Sequence, residues 1–350
     1  MQSFADLLRA MRQTAFGGRQ LGEAFEVLQA MVSDPDCLVV ATVSGAMTVA
    51  KMGTLLCRLI DHGMIHVLVA TGALITHGLT ESVGLVHYRC PAGVSDRELY
   101  AKGYNRVYDT LEMEANLYDV EPLVHRALSQ LDPAQPWSSL RITRALGRIL
   151  HEEFPGEGIL KSAYRRGVPV FIPAFTDSEL GLDLSFWAMR RALAASEGRL
   201  PAADPYATVE ELLTHLPPFN PFEDLHSYAR CLLRAPRTGI FTIGGGVPRN
   251  WAQQVGSYIE FMSERLDLPL RVPRFCYGVR LCPEPAYWGG LSGSTYAEGV
   301  SWGKFVAPED GGRYAEVYAD ATLVLPLLVK ALLEACPTVP PPPLTFPFPA

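Results

Sequence analysis

The run Cys37-Leu-Val-Val-Ala-Thr-Val43 is continuously apolar and rich in β-branched residues. A strand with one wet face alternates apolar and polar positions, whereas a strand covered on both faces need not. This stretch therefore predicts a strand buried on both sides, and that requires helices above and below a sheet. Similar text recurs. Ile65-His-Val-Leu-Val-Ala70 predicts a second strand, Val168-Pro-Val-Phe-Ile172 a third and Gly239-Ile-Phe-Thr-Ile243 a fourth, with further strands over 274–280 and 314–318. Helical periodicity separates them over 47–61, 74–83, 120–131, 138–153, 158–166, 180–196, 222–235 and 248–266, and Asp320 is placed to cap a last helix to about Ala335. Repeated strand–helix units predict an α/β fold, a single large Rossmann-like domain with a mostly parallel sheet and helices on both faces.

The remaining segments are read as additions to that body. Residues 1–35 form an N-terminal helical segment that opens on an amphipathic helix with Asp6 inside it, residues 36–336 the α/β domain, and residues 337–350 a Pro-rich tail without helical or strand pattern. Residues 85–109 are irregular and tyrosine-rich, and 199–220, Pro-rich at both ends, reads as an inserted excursion. With 350 residues, 48% of them hydrophobic, the chain can bury a sizeable core. Its net charge of -7 and the lack of a Lys/Arg run argue against a nucleic-acid face. The longest late apolar stretch is too short to span a bilayer, and the first residues do not read as a signal peptide. Seven scattered cysteines without CxxC spacing suggest reduced thiols, a cytoplasmic address and no zinc site.

In parallel sheets of this kind ligands bind beyond the carboxyl ends of the strands. The loops selected by that rule are Ser44-Gly45-Ala-Met47, Thr71-Gly72-Ala73, Thr176-Asp177-Ser178 and Gly244-Gly245-Gly246-Val247. The triple glycine follows a strand and opens a helix, where main-chain N–H groups can approach a phosphate. It is not a GxGxxG motif, and a tight turn that needs glycine is the alternative. The histidines His62 and His66 read as surface residues.

The chemistry concentrates in Glu298-Gly-Val-Ser-Trp-Gly-Lys304. A lysine two residues after a tryptophan, across a glycine, places an amine beside a large apolar ring. Desolvation there lowers the lysine pKa toward the neutral, nucleophilic form. The alternative is a surface lysine near a half-buried indole.

These residues resemble the deoxyhypusine synthase family, in particular its bacterial and archaeal deoxyhypusine synthase-like members, over about residues 38–333. The resemblance rests on Glu298 to Lys304 followed by Val317-Tyr-Ala-Asp-Ala-Thr-Leu-Val-Leu-Pro-Leu-Leu328, with Pro169-Val-Phe-Ile-Pro-Ala-Phe-Thr-Asp177, the Gly244 turn and Gly103-Tyr-Asn-Arg106 in support. It implies NAD as cofactor, a polyamine such as spermidine as substrate, and a homotetramer with sites at subunit interfaces. It further implies an aminobutyl group carried as an imine on the active-site lysine. By position Lys304 resembles that lysine, Trp302 the indole that packs on the polyamine chain, and Glu298 a carboxylate that holds an ammonium. Ser44, Gly45, Thr71, Gly72, Ala73, Asp177, Gly244, Gly245, Gly246, Ser292, Asp320 and Ala321 fall at NAD-contacting positions. Asp320 is equally placed to cap a helix.

The chain also departs from that family. Arg249-Asn250-Trp251 stands where the family carries Lys-His-His, so Asn250 takes the place of a polyamine-handling histidine. Leu291 and Leu182 replace two polyamine-holding aspartates, with Glu179 and Asp183 near enough to substitute for the second. Each lost charged hydrogen bond weakens a polyamine site by about 1.5–3 kcal/mol. His77 is the candidate to supply the missing base. The expected activity is an NAD-dependent aminoalkyl transferase with a free amine as acceptor, as in homospermidine synthases. The alternatives are modification of a lysine on a translation initiation factor and a non-catalytic NAD-binding scaffold.

Overall fold

Residues 3–195, 204–346 and 348 are described by the computed structural model. In chain order they form α1 (Phe4–Met11), α2 (Phe16–Ser33), β1 (Cys37–Val43), α3 (Gly53–Asp61), β2 (Val67–Ala70), α4 (Gly72–Ser82), β3 (Tyr88–Arg89), α5 (Asp96–Ala101), β4 (Tyr104–Val107) and β5 (Thr110–Met113). There follow α6 (Glu114–Leu128), α7 (Ser139–Glu153), α8 (Ile159–Arg166), β6 (Val170–Phe171), α9 (Glu179–Ala195), α10 (Pro205–Leu212) and α11 (Pro221–Arg234). The last elements are β7 (Arg237–Ile243), α12 (Gly246–Arg265), β8 (Phe275–Leu281), α13 (Tyr296–Ser301), β9 (Arg313–Val317) and α14 (Ala321–Ala335).

β1 is buried along its whole length, as its unbroken apolar run requires. It lies at the middle of a six-stranded sheet of order β6-β2-β1-β7-β8-β9, in which every pairing is parallel. β1 and β7 stay in register over seven pairs, from Cys37–Arg237 to Val43–Ile243. Alternate β1 side chains serve opposite faces. Val39, Ala41 and Val43 join one hydrophobic core with α1, α2, α3 and α14, while Leu38 and Val40 join the other with α11 and α12. The chain moves outward from β1 through β2 to β6, then returns to β1's other side and continues β7, β8, β9. The winding therefore reverses between the ends of β1 and β7, and a crevice forms at such a switch point.

Several boundaries differ from the sequence reading for identifiable reasons. The third predicted strand shrinks to two residues, because Pro169 and Pro173 flank it and neither has an N–H for the ladder. The helix expected from residue 47 starts only at Gly53, after a turn in which Lys51 adopts φ 62°. The N-terminal segment holds two helices, with Phe16 at φ 54° where the second begins. α2 lays Phe25, Leu28 and Met31 into the core. The irregular tyrosine-rich stretch contains α5 and contributes to a second, antiparallel sheet of order β3-β5-β4. Its strands of two to four residues are too short to show a period-2 pattern. Within the expected excursion, Asp204 caps α10 and Pro205 occupies its first turn, while residues 199–203 lie outside those described.

The described part of the tail has no helix or strand but is not loose chain. Phe346 is buried, its ring 6.1 Å from that of Phe171, and the Arg144 guanidinium sits 3.7 Å from the Phe348 ring centroid. All seven cysteines are free thiols. Among the described residues no helix is long and apolar enough to cross a membrane.

His62 is exposed as expected, but His66 is only partly exposed and its ring is engaged with the main chain. Its Nδ1 accepts from the Val39 N–H at 3.0 Å, and its Nε2 lies 3.0 Å from the Gly63 carbonyl. The neutral ring satisfies both partners, and burial pushes its pKa down from 6.5 to about 4. The unfolded chain then binds one more proton than the native one as pH falls from 6.5 to 4. Stability should fall through that window, by up to about 3 kcal/mol at its acid end. Urea unfolding of wild type and His66→Asn at pH 7 and pH 4.5 checks this. The asparagine variant should lose markedly less stability across the interval, and an equal loss would remove His66 as the cause.

Candidate active site

The lysine segment is built by local rules. Thr295 and Glu298 form a capping box at the start of α13, with the Glu298 N–H donating to Thr295 Oγ1 at 3.1 Å and the Thr295 N–H donating to Glu298 Oε2 at 2.6 Å. The helix stops after one and a half turns at Gly303, which adopts φ 67°. Gly303 N–H donates to the Val300 carbonyl and Lys304 N–H to the Gly299 carbonyl, both at 2.9 Å. This Schellman pair fixes the backbone of Lys304. Its carbonyl then accepts the N–H of Phe275, which anchors the segment to the start of β8.

The Lys304 side chain enters an open cleft of about 370 Å³ that is also lined by Arg249, Asn250, Gln253, Leu291, Glu298 and Trp302. Its Nζ lies 5.9 Å from the Trp302 ring centroid. Burial pushes the lysine pKa down, and the nearby Arg249 guanidinium adds to the effect. Trp302 is 70% exposed, so one face of the indole is free for a ligand. Glu298 is exposed, with Oε2 engaged in its own helix cap, and hydrogen bonds from Thr295 hold its carboxyl below the usual range.

Arg249 is the residue whose weight the sequence did not reveal. It is 2% exposed, and among the described residues its one side-chain hydrogen bond runs from Nη1 to the Leu291 carbonyl at 3.2 Å. Its Nε and Nη2 are buried without a hydrogen-bond partner. The guanidinium lies 5.7 Å from the Tyr296 ring centroid, and Arg249 lines the lysine cleft as a buried positive charge.

The predicted cofactor loops meet at the switch point. The Gly245 N–H donates to Ser44 Oγ at 3.1 Å, and the Ser44 hydroxyl returns a short bond to the Gly245 carbonyl. Gly246 N–H donates to Ser292 Oγ at 2.9 Å, and the Thr71 hydroxyl donates to the Gly45 carbonyl at 2.7 Å. Gly244 and Gly246 adopt φ 82° and 61°. A Cβ on Gly245 would lie 2.5 Å from Ser292, and one on Gly72 2.1 Å from Ser178 Oγ. The glycine amides thus donate to two serine hydroxyls, and a phosphate would have to displace one. Ala73 lies in the first turn of α4, capped by Thr71. Asp177 is exposed at the end of the β6 loop. Asp320 caps α14 through the Thr322 N–H at 2.8 Å, and Ala321 is buried behind it. The first turn of α12 joins the two regions, since Gly246 borders the crevice while Arg249 and Asn250 line the lysine cleft.

The remaining candidates do not line that cleft. Glu179 and Asp183 lie on α9, where burial first, then the charges of Glu121 and Glu179, push the Asp183 carboxyl up to about 7. His77 lies on α4 with Nδ1 2.6 Å from Glu112 Oε2, and His87 Nε2 lies 3.4 Å from Glu112 Oε1. Burial raises the Glu112 pKa, but the two imidazoles outweigh it and hold the carboxyl at about 2. His87, between Glu112 and Glu81, is raised to about 9. Nothing in the sequence pairs His87 and Glu112 with His77, because the contacts join three separate elements. A larger cleft, about 810 Å³ along Trp187, Arg191 and Leu212, is lined by none of the predicted site residues.

A family model described as Deoxyhypusine synthase matches residues 6–332. "Probable deoxyhypusine synthase 2" of Methanosarcina mazei is 31% identical over 334 residues, 95% of this chain and 87% of the relative. The "Deoxyhypusine synthase-like protein" of Coxiella burnetii is 27% identical, covering 93% and 84% respectively. A solved Entamoeba histolytica structure assigned as a deoxyhypusine synthase shares the fold, with a TM-score of 0.58 at 13% identity, over 99% of this chain and 96% of that one. The chain belongs to the deoxyhypusine synthase family, whose members transfer aminobutyl groups.

Proposed function

We propose that this protein is an NAD-dependent transferase that moves an aminoalkyl group, aminobutyl in the family's usual form, from one amine to another through an imine on Lys304. The observation that carries the reading is the half-buried Lys304 amine, shifted toward its neutral form, in a cleft walled by an exposed indole. A neutral amine exchanges with the amine already bound to an imine carbon, so that one C–N bond forms as another breaks and the displaced amine leaves with the proton. Trp302 offers its free face to the methylene chain and Glu298 a carboxylate to a charged end. Asn250 can orient an amine but cannot take its proton in the neutral range.

The strand order, 3-2-1-4-5-6 when the six parallel strands are numbered along the chain, is that of Rossmann dinucleotide folds. It supports placing NAD against Ser44, Gly45, Thr71, Gly72, Ala73, Asp177, Gly244, Gly245, Gly246, Ser292, Asp320 and Ala321. Bound there, NAD would supply reversible acceptance of a hydride. The exposed Trp302, Trp288, Tyr287 and Leu291 around the cleft fit a site completed in a homotetramer. The assembly belongs in the cytoplasm, where its free thiols stay reduced.

A second reading concerns the amine. Where the family's polyamine aspartate would stand, Leu291 is present, and the buried Arg249 puts a fixed positive charge in the cleft. That arrangement disfavours a fully cationic polyamine and favours an amine that carries its own carboxylate. Both readings meet one experiment. The protein is incubated with NAD and a panel of diamines, triamines and ω-amino acids, reduced with borohydride and mapped by mass spectrometry. An adduct on the Lys304 peptide is expected, and its mass names the donor. With NAD bound and no adduct from any amine, the transfer reading fails. Arg249→Leu should weaken a carboxylate-bearing donor about 10- to 100-fold, the value of a charged hydrogen bond, and spare simple diamines. Equal loss for both classes would reject the second reading.

A further inference from the structure

We infer that His77, His87 and Glu112 form a binding site for a divalent first-row transition ion, zinc in the first instance, outside the lysine cleft. The three side chains come from the middle of α4, the segment before β3, and β5. One ligand atom from each lies within 4.8 Å of the others. A tetrahedral zinc with ligands at its usual distances spaces them about 3.3 Å apart. The contacts here are of that order, with Glu112 Oε2 2.6 Å from His77 Nδ1 and Glu112 Oε1 3.4 Å from His87 Nε2.

Three features argue for a cation beyond mere proximity. The Glu112 side chain is 1% exposed and that of His87 0%. Both Glu112 oxygens, His77 Nδ1 and His87 Nε2 face one another as ion pairs, and among the described residues none of them has an aligned hydrogen bond to another group. Buried polar atoms ordinarily have well-aligned partners, so a buried carboxylate that faces two imidazoles without one fits a cation that would take a lone pair from each. The donor set, two imidazoles and one carboxylate, suits zinc or its first-row neighbours and not magnesium or calcium. The outer partner is also in place. His87 Nδ1 lies 3.1 Å from Glu81 Oε1, which orients the ring so that Nε2 faces Glu112, and Lys51 Nζ pairs with the same Glu81 oxygen and lies 3.2 Å from His87 Nδ1. His77 is 12% exposed, so solvent reaches this edge of the cluster and could supply a fourth ligand. An ion here would clamp α4, whose first turn borders the cofactor crevice, onto the small antiparallel sheet.

The test uses the full-length protein after EDTA dialysis, titrated with ZnCl2 by calorimetry and with CoCl2 by visible absorption. One equivalent should bind, and bound Co2+ should show d–d bands without thiolate charge transfer. His77→Gln, checked by circular dichroism, should bind at least about 10-fold more weakly. Absence of saturable uptake by the wild type overturns the proposal, as does unchanged uptake by folded His77→Gln. If that variant does not fold, the wild-type Co2+ spectrum decides. A nitrogen- and oxygen-only spectrum supports the site, and a thiolate band assigns the metal to the cysteines and overturns it.

Discussion

Replacing Lys304 by alanine is expected to lower amine-transfer turnover by at least about 10³-fold, and replacing it by arginine is expected to lower it just as far. Arginine keeps the charge and much of the length but stays protonated at every accessible pH, so it cannot form an imine. The pair separates two roles for the position. Loss in both variants means a nucleophile, whereas survival of Lys304→Arg would mean that only a positive charge is needed and would end the imine mechanism. The fold should hardly notice. Lys304 is half-buried, and burial already disfavours its charged form, so Lys304→Met should leave the thermal midpoint unchanged or slightly raised. The same shift gives the pH dependence its sign. The depressed pKa means that the neutral amine grows in as pH rises through a value below the ordinary 10.5. Single-turnover trapping on Lys304 should therefore increase with pH and level off earlier than for a free lysine. A rate that falls as pH rises would contradict nucleophilic attack by this amine.

The parts of the molecule that can be read from the sequence are those in which one element declares itself. β1 needed no partner to be recognised, because a short, β-branched, almost wholly apolar run fits a strand covered on both faces, and Cys37–Val43 is buried throughout. The pairing of Lys304 with Trp302 was legible because the two are separated by one glycine, whereas the capping box of Thr295 and Glu298 and the short helix α13 it starts were not read from the sequence. Nor was the small sheet, since its two-residue strand β3 and its neighbours carry no period. His66 read as a surface residue because its partners are main-chain groups, which no side-chain pattern reveals. His77 drew attention by position alone, and its contacts with His87 and Glu112 appear only once α4 meets β5. Arg249 stood in the sequence as a replacement in a known motif. That its guanidinium is buried, half-paired and beside Lys304 depends on how α12 packs under the loop at Leu291.

The packing under that loop has a single centre, and removing it should cause the largest loss of stability. Arg280 on β8 is 1% exposed, and its Nη2 lies 2.8 Å from Glu316 Oε2 on β9. Its other arm donates a short bond to the Ser292 carbonyl. Glu316 in turn accepts the Tyr296 N–H at 2.8 Å and the Tyr318 hydroxyl at 2.9 Å. Arg280 thus joins the sheet to Ser292, whose hydroxyl holds the Gly246 amide, and through Glu316 to Tyr296, which opens the helix that carries Glu298. A buried pair such as this contributes little relative to apolar residues of the same shape, yet removing one partner strands the other's charge. Arg280→Met is therefore expected to cost about 3–5 kcal/mol, a large share of a domain's usual 5–15 kcal/mol. The additional change Glu316→Leu removes the stranded carboxylate, so the double variant should be less destabilised than the sum of the two single changes. Additive losses in urea unfolding, or a loss under about 1 kcal/mol for Arg280→Met alone, would show that the pair is not coupled as its geometry implies. The site carries a second readout. Because Arg280 positions the Ser292 loop without touching the cleft's lysine, Arg280→Met should also slow Lys304 trapping at temperatures where the variant is still folded. Amine chemistry left at the wild-type rate in a destabilised Arg280→Met would mean that the cleft is held by α13 and its caps alone.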